Sequence, residues 1–159
     1  MRIATCRFGE LEIKPESVFS IAEGLFGFAH ARRYCLLEHT PESPFRWLQS
    51  VDQPEVAFVV IDPLEFFPDY LVEIADPEAE ALGLHSPDDA AILNIVTIAE
   101  NYRDTTVNLL APVVVNTRTR KAKQLILANE AYDTKHRLLD AAQRKAGPTA
   151  ERATAQDGE

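Results

Sequence analysis

The sequence predicts an all-β fold: a small, partly open antiparallel β-barrel with a short connecting helix and a C-terminal helix. Three observations lead there. Through about residue 130, Gly, Pro and Asp recur at short intervals between runs of β-branched and aromatic residues, the rhythm of strands joined by turns. Several of those runs, such as Val56 to Ile61 and Ile92 to Ile98, are apolar on both faces. An open sheet with one wet face would alternate, so this sheet either closes on itself or is covered. From Asn129 onward, helix formers replace the β-branched residues.

Taken in order, strands are predicted at residues 2–7, 11–14, 33–38, 45–51, 56–61, 70–74, 90–98, 107–116 and 121–127. Pro112 lies inside the eighth and cannot donate to a ladder, which implies an edge or a bulge there. Residues 76–83 read as a short helix, with Asp76 as N-cap, Pro77 in the first turn and Gly83 as terminator. A C-terminal helix is expected over 129–145, with Leu138, Leu139 and Ala142 as its apolar stripe. The tail 146–159 has no apolar pattern and reads as disordered. These elements make one domain, residues 1–128, followed by the helix and the tail; 159 residues suffice for one core and not for two.

The chain opens in charged, β-prone sequence without an apolar signal core, and its longest apolar runs are strand-sized, so neither secretion nor membrane insertion is expected. Cys6 and Cys35 read as reduced core residues. Charge is the most informative property. Residues 1–117 hold 19 acidic and 7 basic side chains, while residues 118–159 hold 6 and 9, for a net charge of -9. Between Trp47 and Tyr102 there is no Lys or Arg, against twelve Asp or Glu. Such a segment cannot mix its charges locally; its field disfavours nucleic acid and favours a basic partner.

Catalytic and metal chemistry find no foothold. Asp88-Asp89 is an adjacent carboxylate pair in a turn, not a convergent dyad. Asp62, Asp69 and Asp76 recur every seven residues without the spacing of a calcium loop, and His30, His39, His85 and His136 lack ligand spacing. Gly24 and Gly27 form a simple turn. The basic run Thr117 to Lys123 reads as a hairpin whose charges keep the turn wet; without an aromatic platform it does not predict nucleic-acid binding. No cofactor, metal or catalytic group is expected, and the alternative the residues leave open is a barrel that holds a small ligand or an enzyme whose groups converge only in the fold.

That leaves the stretch VIDPLEFFPDY, Val60 to Tyr70, where two phenylalanines stand between Asp-Pro and Pro-Asp turns. Either both rings are buried, or one becomes an aromatic anchor in a partner-binding site made of Asp62, Glu65, Phe66, Phe67, Asp69 and Tyr70. Such a site suits a segment with apolar and basic residues.

Several blocks together resemble the FliW family of flagellar assembly factors: Phe8-Gly9-Glu10, EGLFGF (Glu23 to Phe28), SPFRWLQSVDQPEVAFVVIDP (Ser43 to Pro63), FFPDY (Phe66 to Tyr70) and LLAPVVVNTRTRKAKQLIL (Leu109 to Leu127). They follow the family's order over residues 1 to 128. Family members usually carry Pro where this chain has Ala22 and Phe26, so two fixed φ angles are missing from that turn. The resemblance implies a cytoplasmic bacterial protein, monomeric when free, with a small β-barrel-like fold, no cofactor and no catalytic site. It further implies binding to flagellin before export and, when free, to the dimeric RNA-binding repressor CsrA, whose repression of flagellin translation it relieves by an allosteric route.

Overall fold

The computed structural model describes residues 1–38 and 40–138. Strands β1 (Arg2–Thr5) and β2 (Gly9–Glu12) pair as a separate antiparallel hairpin. The main sheet holds β3 (Phe19–Ile21), β4 (Arg33–Glu38), β5 (Arg46–Ser50), β6 (Ala57–Ile61), β7 (Ala90–Thr97), β8 (Thr106–Val107), β9 (Val113–Asn116), β10 (Lys121–Gln124) and β11 (His136–Arg137). Helix α1 (Asp76–Leu82) lies between β6 and β7 in the chain.

Seven of these strands close a ring in the order β7, β6, β5, β4, β3, β10, β9, with β9 returning to β7. The barrel is therefore closed rather than partly open. It is also not wholly antiparallel, because β10 and β3 run parallel with Lys121 opposite Ser20 and Ala122 opposite Ile21. That seam joins segments a hundred residues apart, which no local pattern announces. β8 and β11 extend the sheet beyond the ring from the far half of β7.

The predicted strand at 107–116 is divided. β8 pairs with the end of β7 and β9 with its start, so the chain must leave the sheet between Val107 and Val113. Pro112, which has no N–H to lose, sits at that break, and its carbonyl accepts from Leu125 N at 2.9 Å. Residues 70–74 keep the alternation of a strand, with Leu71 and Glu73 exposed and Val72 and Ile74 half-buried, but they pair with no strand among the described residues. Residues 129–137 are not helical: Asn129 Oδ1 accepts from Ala131 N and Asp133 Oδ1 from Lys135 N, two side-chain turns that let the chain double back into β11. Leu138 is buried and already helical, and residues 139–145 of the expected helix and the tail 146–159 lie outside the described residues.

Register shows why the strands are apolar on both faces. Directly opposed residues share a face, and Leu36–Leu48, Leu48–Phe58, Val60–Ile95, Leu93–Val113, Val115–Ala122 and Phe19–Tyr34 are opposed pairs that fill the barrel. The opposite faces are also covered. Ile61, Val96 and Val107 pack with Leu109, Leu127 and Leu138 under the 66–70 loop, and Val114 packs with Leu82 and Leu125 beneath α1. The helix begins one residue earlier than predicted. Ala75 is its N-cap, Asp76 its first residue, and Gly83 ends it at φ 70°. Asn116 Nδ2 donates to Leu82 O at 2.7 Å, tying the helix end to β9. Cys35 is buried as expected, but Cys6 is exposed in the β1–β2 turn.

At the turn lacking the family's prolines, the backbone N–H groups take over. Ala22 N donates to Ala122 O at 3.0 Å and Phe26 N to Gln124 Oε1 at 2.9 Å, bonds that proline cannot make. Gly24 is required there: its φ is 70°, and a Cβ would lie 2.5 Å from Phe28 O.

Inside the barrel, Tyr34 is fully buried and its hydroxyl has no hydrogen-bond partner among the described residues. An unpaired buried hydroxyl costs more than it contributes. Tyr34→Phe is thus expected to be neutral or to stabilise by up to about 1 kcal/mol, raising Tm by ~2–4 °C. A loss of that size in thermal denaturation would mean that the hydroxyl is satisfied after all.

Candidate functional site

The loop after β6 is shaped by its own sequence. Asp62 caps a single 3-10 turn, Pro63–Glu65, its Oδ1 accepting from Leu64 N at 3.0 Å, while Pro63 supplies a pre-set φ in the first turn. Pro63 O then accepts from both Phe66 N and Phe67 N, at 3.1 and 2.7 Å, and Tyr70 N reaches Phe67 O at 2.9 Å. The chain is thus coiled tightly across the outer face of the barrel.

Both phenylalanines are half-buried against the core cluster of Ile61, Val96 and Leu109. Phe66 meets Phe45 with ring centroids 6.4 Å apart, and Phe67 meets His136 edge-on at 6.2 Å. Tyr70 goes deeper and is 7% exposed. Its hydroxyl donates to Leu109 O at 2.6 Å and accepts from Asn94 Nδ2 at 3.1 Å, and burial pushes its phenol up to about 12. Tyr70 is therefore a fastener beneath the loop and not part of its outer rim. Asp62 is half-buried, whereas Glu65 and Asp69 are exposed on the outer side.

The apolar surface the loop presents comes from residues the sequence reading passed over. Leu64 is 54% exposed and Leu71 57%. Leu64 takes the outer corner of the 3-10 turn, and Leu71 points away from the core because its neighbour Tyr70 points in. Beside Leu64 runs a cleft of about 260 Å³, lined also by Pro63, Tyr70, Val72, Ile74 and Ile92. The returning C-terminal segment was also missed. Tyr132 packs on Tyr70 at 4.8 Å and its hydroxyl accepts from Leu71 N at 2.9 Å, so residues 129–137 clamp the loop from one side. The available signal was the pair of turn formers, Asn129 and Asp133, four residues apart.

Charge is distributed unevenly around the loop. Asp52 is held by Arg33 at 2.6 Å, and that hydrogen bond lowers its carboxyl below the ordinary range. Asp89 is engaged by Arg118 at 3.2 Å and Glu78 by Lys123 at 3.0 Å, so two bases of the Thr117–Lys123 hairpin face acids of the chain itself. Asp62, Asp69 and Glu73 have no ion pair among the described residues. What the loop offers is an apolar cleft beside exposed Leu64, on a stretch of chain that also exposes Leu71, Asp69 and Glu73. No cluster of three or more His, Cys, Asp or Glu side chains among the described residues is placed to hold a metal ion.

Comparison with known proteins places nearly all of the described chain among relatives. A family model described as FliW protein matches residues 2–138. Among curated relatives, the Flagellar assembly factor FliW of Natranaerobius thermophilus is 40% identical over 141 residues, covering 88% of this chain and 93% of that protein. The protein of the same name from Geobacter sulfurreducens is 38% identical over 148 residues, 93% of this chain and 92% of its own, and that from Anoxybacillus flavithermus is 42% identical over 139 residues, 87% and 95%. A crystal structure of the flagellar assembly factor FliW superposes with a TM-score of 0.80 at 40% identity, over 87% of this chain and 96% of that one.

Proposed function

The chain belongs to the FliW family of flagellar assembly factors, and from that premise we propose that it is a cytoplasmic partner-switching protein that works by binding rather than catalysis. Flagellin occupies it while subunits accumulate. Once they are exported, the freed protein, a monomer, takes up the CsrA dimer, away from its RNA-binding face, and relieves repression of flagellin translation. Control is by mass action: two partners draw on one pool, and its free concentration sets repressor activity.

The observation that carries this reading is the outer loop: an apolar cleft beside exposed Leu64, with Leu71, Glu65, Asp69 and Glu73 exposed on the same stretch of chain, inside a segment without a single base. A protein that grips RNA must present basic surface, and an acidic docking face steers itself to such a partner. Asp62 shapes the loop, Phe66 and Phe67 floor it, and Tyr70 anchors it. The engagement of Arg118 and Lys123 by acids of the same chain argues against direct nucleic-acid binding through that hairpin. No helix among the described residues is long and apolar enough to cross a membrane.

Calorimetric titration with the CsrA dimer and with flagellin, each at low and high salt, tests the proposal. Saturable binding of both, weakened by salt for CsrA, is the expected result. Asp69→Lys should weaken CsrA binding several-fold, roughly 0.5–1 kcal/mol for a rim charge, without changing Tm. Phe67→Ala should weaken binding too; if affinity is unchanged and only Tm falls, the ring belongs to the core alone. Absence of CsrA binding at either salt would sink the regulatory half of the proposal.

A further inference from the structure

One end of the barrel carries a second concavity, bordered on one side by Asp62 and Leu64 of the docking loop. The starts of β3, β5, β7 and β10 and the ends of β4, β6 and β9 all meet there, as the strand directions require. They surround a cleft of about 350 Å³, within the size range of small-molecule sites. Its apolar wall comes from Phe19, Leu36, Leu93 and Val115, which belong to or pack against the barrel core.

Two arginines stand in this wall. Arg46 is opposed to Val60 and two residues from Leu48, both interior, so strand alternation turns it to the inside of the barrel. Its side chain makes no hydrogen bond or ion pair among the described residues. Arg120 is held more firmly. Its backbone is left-handed at φ 64°, its Nη2 donates to Ser17 O at 3.1 Å, and its guanidinium lies 5.9 Å from the Phe19 ring centroid. Its Nε is buried without a hydrogen-bond partner.

Arg46 has no acceptor among the described residues and Arg120 gives only its Nη2 to Ser17 O, so two guanidiniums line the cleft with N–H groups that an acceptor supplied from outside can take up. Two carboxylates are near. Asp62 lines the cleft but turns its Oδ1 to its own loop, and Glu38, opposed to Arg46, is exposed; neither forms an ion pair with either arginine among the described residues. Two inward guanidiniums beside an apolar wall stand out in a chain of net charge -9.

We propose that this barrel mouth binds a small organic oxyanion, a carboxylate or phosphate monoester on a compact apolar body, with Arg46 and Arg120 holding the oxygens and Phe19 and Leu36 the body. Planar guanidinium forks recognise either group. The site adjoins the docking loop at Asp62 and Leu64, while its two arginines lie outside that loop.

The test is an amide-resonance titration of the full chain by NMR with benzoate and phenyl phosphate as probes and with benzyl alcohol and inorganic phosphate as controls. Saturable shifts at Leu36, Ala91, Val115 and Arg120 are expected, and the tighter of the two probes identifies the oxyanion. Arg46→Gln and Arg120→Gln should each weaken it about tenfold or more, the effect of one charge-assisted contact. Two positions are used so that a folding defect in one leaves the other to decide. No saturable shift at these residues, equal affinity for benzyl alcohol or inorganic phosphate, or unchanged affinity in a folded variant would each overturn the proposal.

Discussion

Tyr70→Ala is expected to lower folding stability by about 3–5 kcal/mol, among the larger effects a single substitution can have in a chain of this size. The ring is buried against Tyr132 and the cluster around Leu109, so its removal leaves a cavity there. Its hydroxyl bridges two parts of the fold, donating to Leu109 O and accepting from Asn94 Nδ2. Asn94 already has an unpartnered Oδ1, so further loss at this residue leaves a poorly satisfied polar group in the core. The shape and the hydroxyl are separable, because Tyr70→Phe removes only the hydroxyl and should cost about 1–3 kcal/mol. Urea unfolding monitored by Trp47 fluorescence measures both. A cost below about 1 kcal/mol for Tyr70→Ala would mean that the loop is not fastened through this ring.

Alkaline lability is the second large effect. Burial pushes both the Tyr34 and Tyr70 phenols up from 10.0 to about 12. The neutral phenol is the form the folded chain prefers, so the unfolded chain gives up its proton first as pH rises. The associated stability is therefore complete below about pH 10 and is lost progressively between about pH 10 and 12. A shift of that size corresponds to roughly 2–3 kcal/mol for each tyrosine, an upper figure for a structure that can relax. Against a typical total of about 5–15 kcal/mol, losing both should bring the urea midpoint down steeply in that window. Phenolate absorbance should rise together with unfolding, and Tyr70→Phe should make the decline shallower. A midpoint that stays level to about pH 12 would show that neither phenol is held neutral by the fold.

The strands that the sequence announces are those with enough residues to display a pattern. β4 and β6 fall almost where their apolar runs place them, and β7 is long enough that its double-sided character is plain. β3 is three residues, Phe19–Ile21, between an exposed turn and a glycine turn, too short for any periodicity. Residues 129–137 depart from the helix expected there because helix propensity is a weak preference. Here two side-chain turns and the packing of Tyr132 and Leu138 against the core outweigh it. In the candidate site, the loop's position and charge were legible, but its facing was not. In a 3-10 turn no two-residue alternation applies, so Phe66 and Phe67 drew notice while Leu64 and Leu71 formed the exposed apolar surface. The inward arginines were invisible for a related reason: Arg46 and Arg120 come together only when the ring closes.

That closure also sets an order of events in time. The seam between β3 and β10 joins Ser20 to Lys121, so during synthesis the strand made first among the seven waits for the one made last. Meanwhile its outer edge is an unpaired row of donors and acceptors, the kind of template that recruits foreign strands. Contacts of such long sequence separation are formed against a large loop entropy and are characteristically slow. A cell making this protein in quantity therefore holds, at any moment, a population of nascent chains with the barrel still unsealed, and the turn at Ala22 to Phe26, which bonds to β10, completes only with that final step.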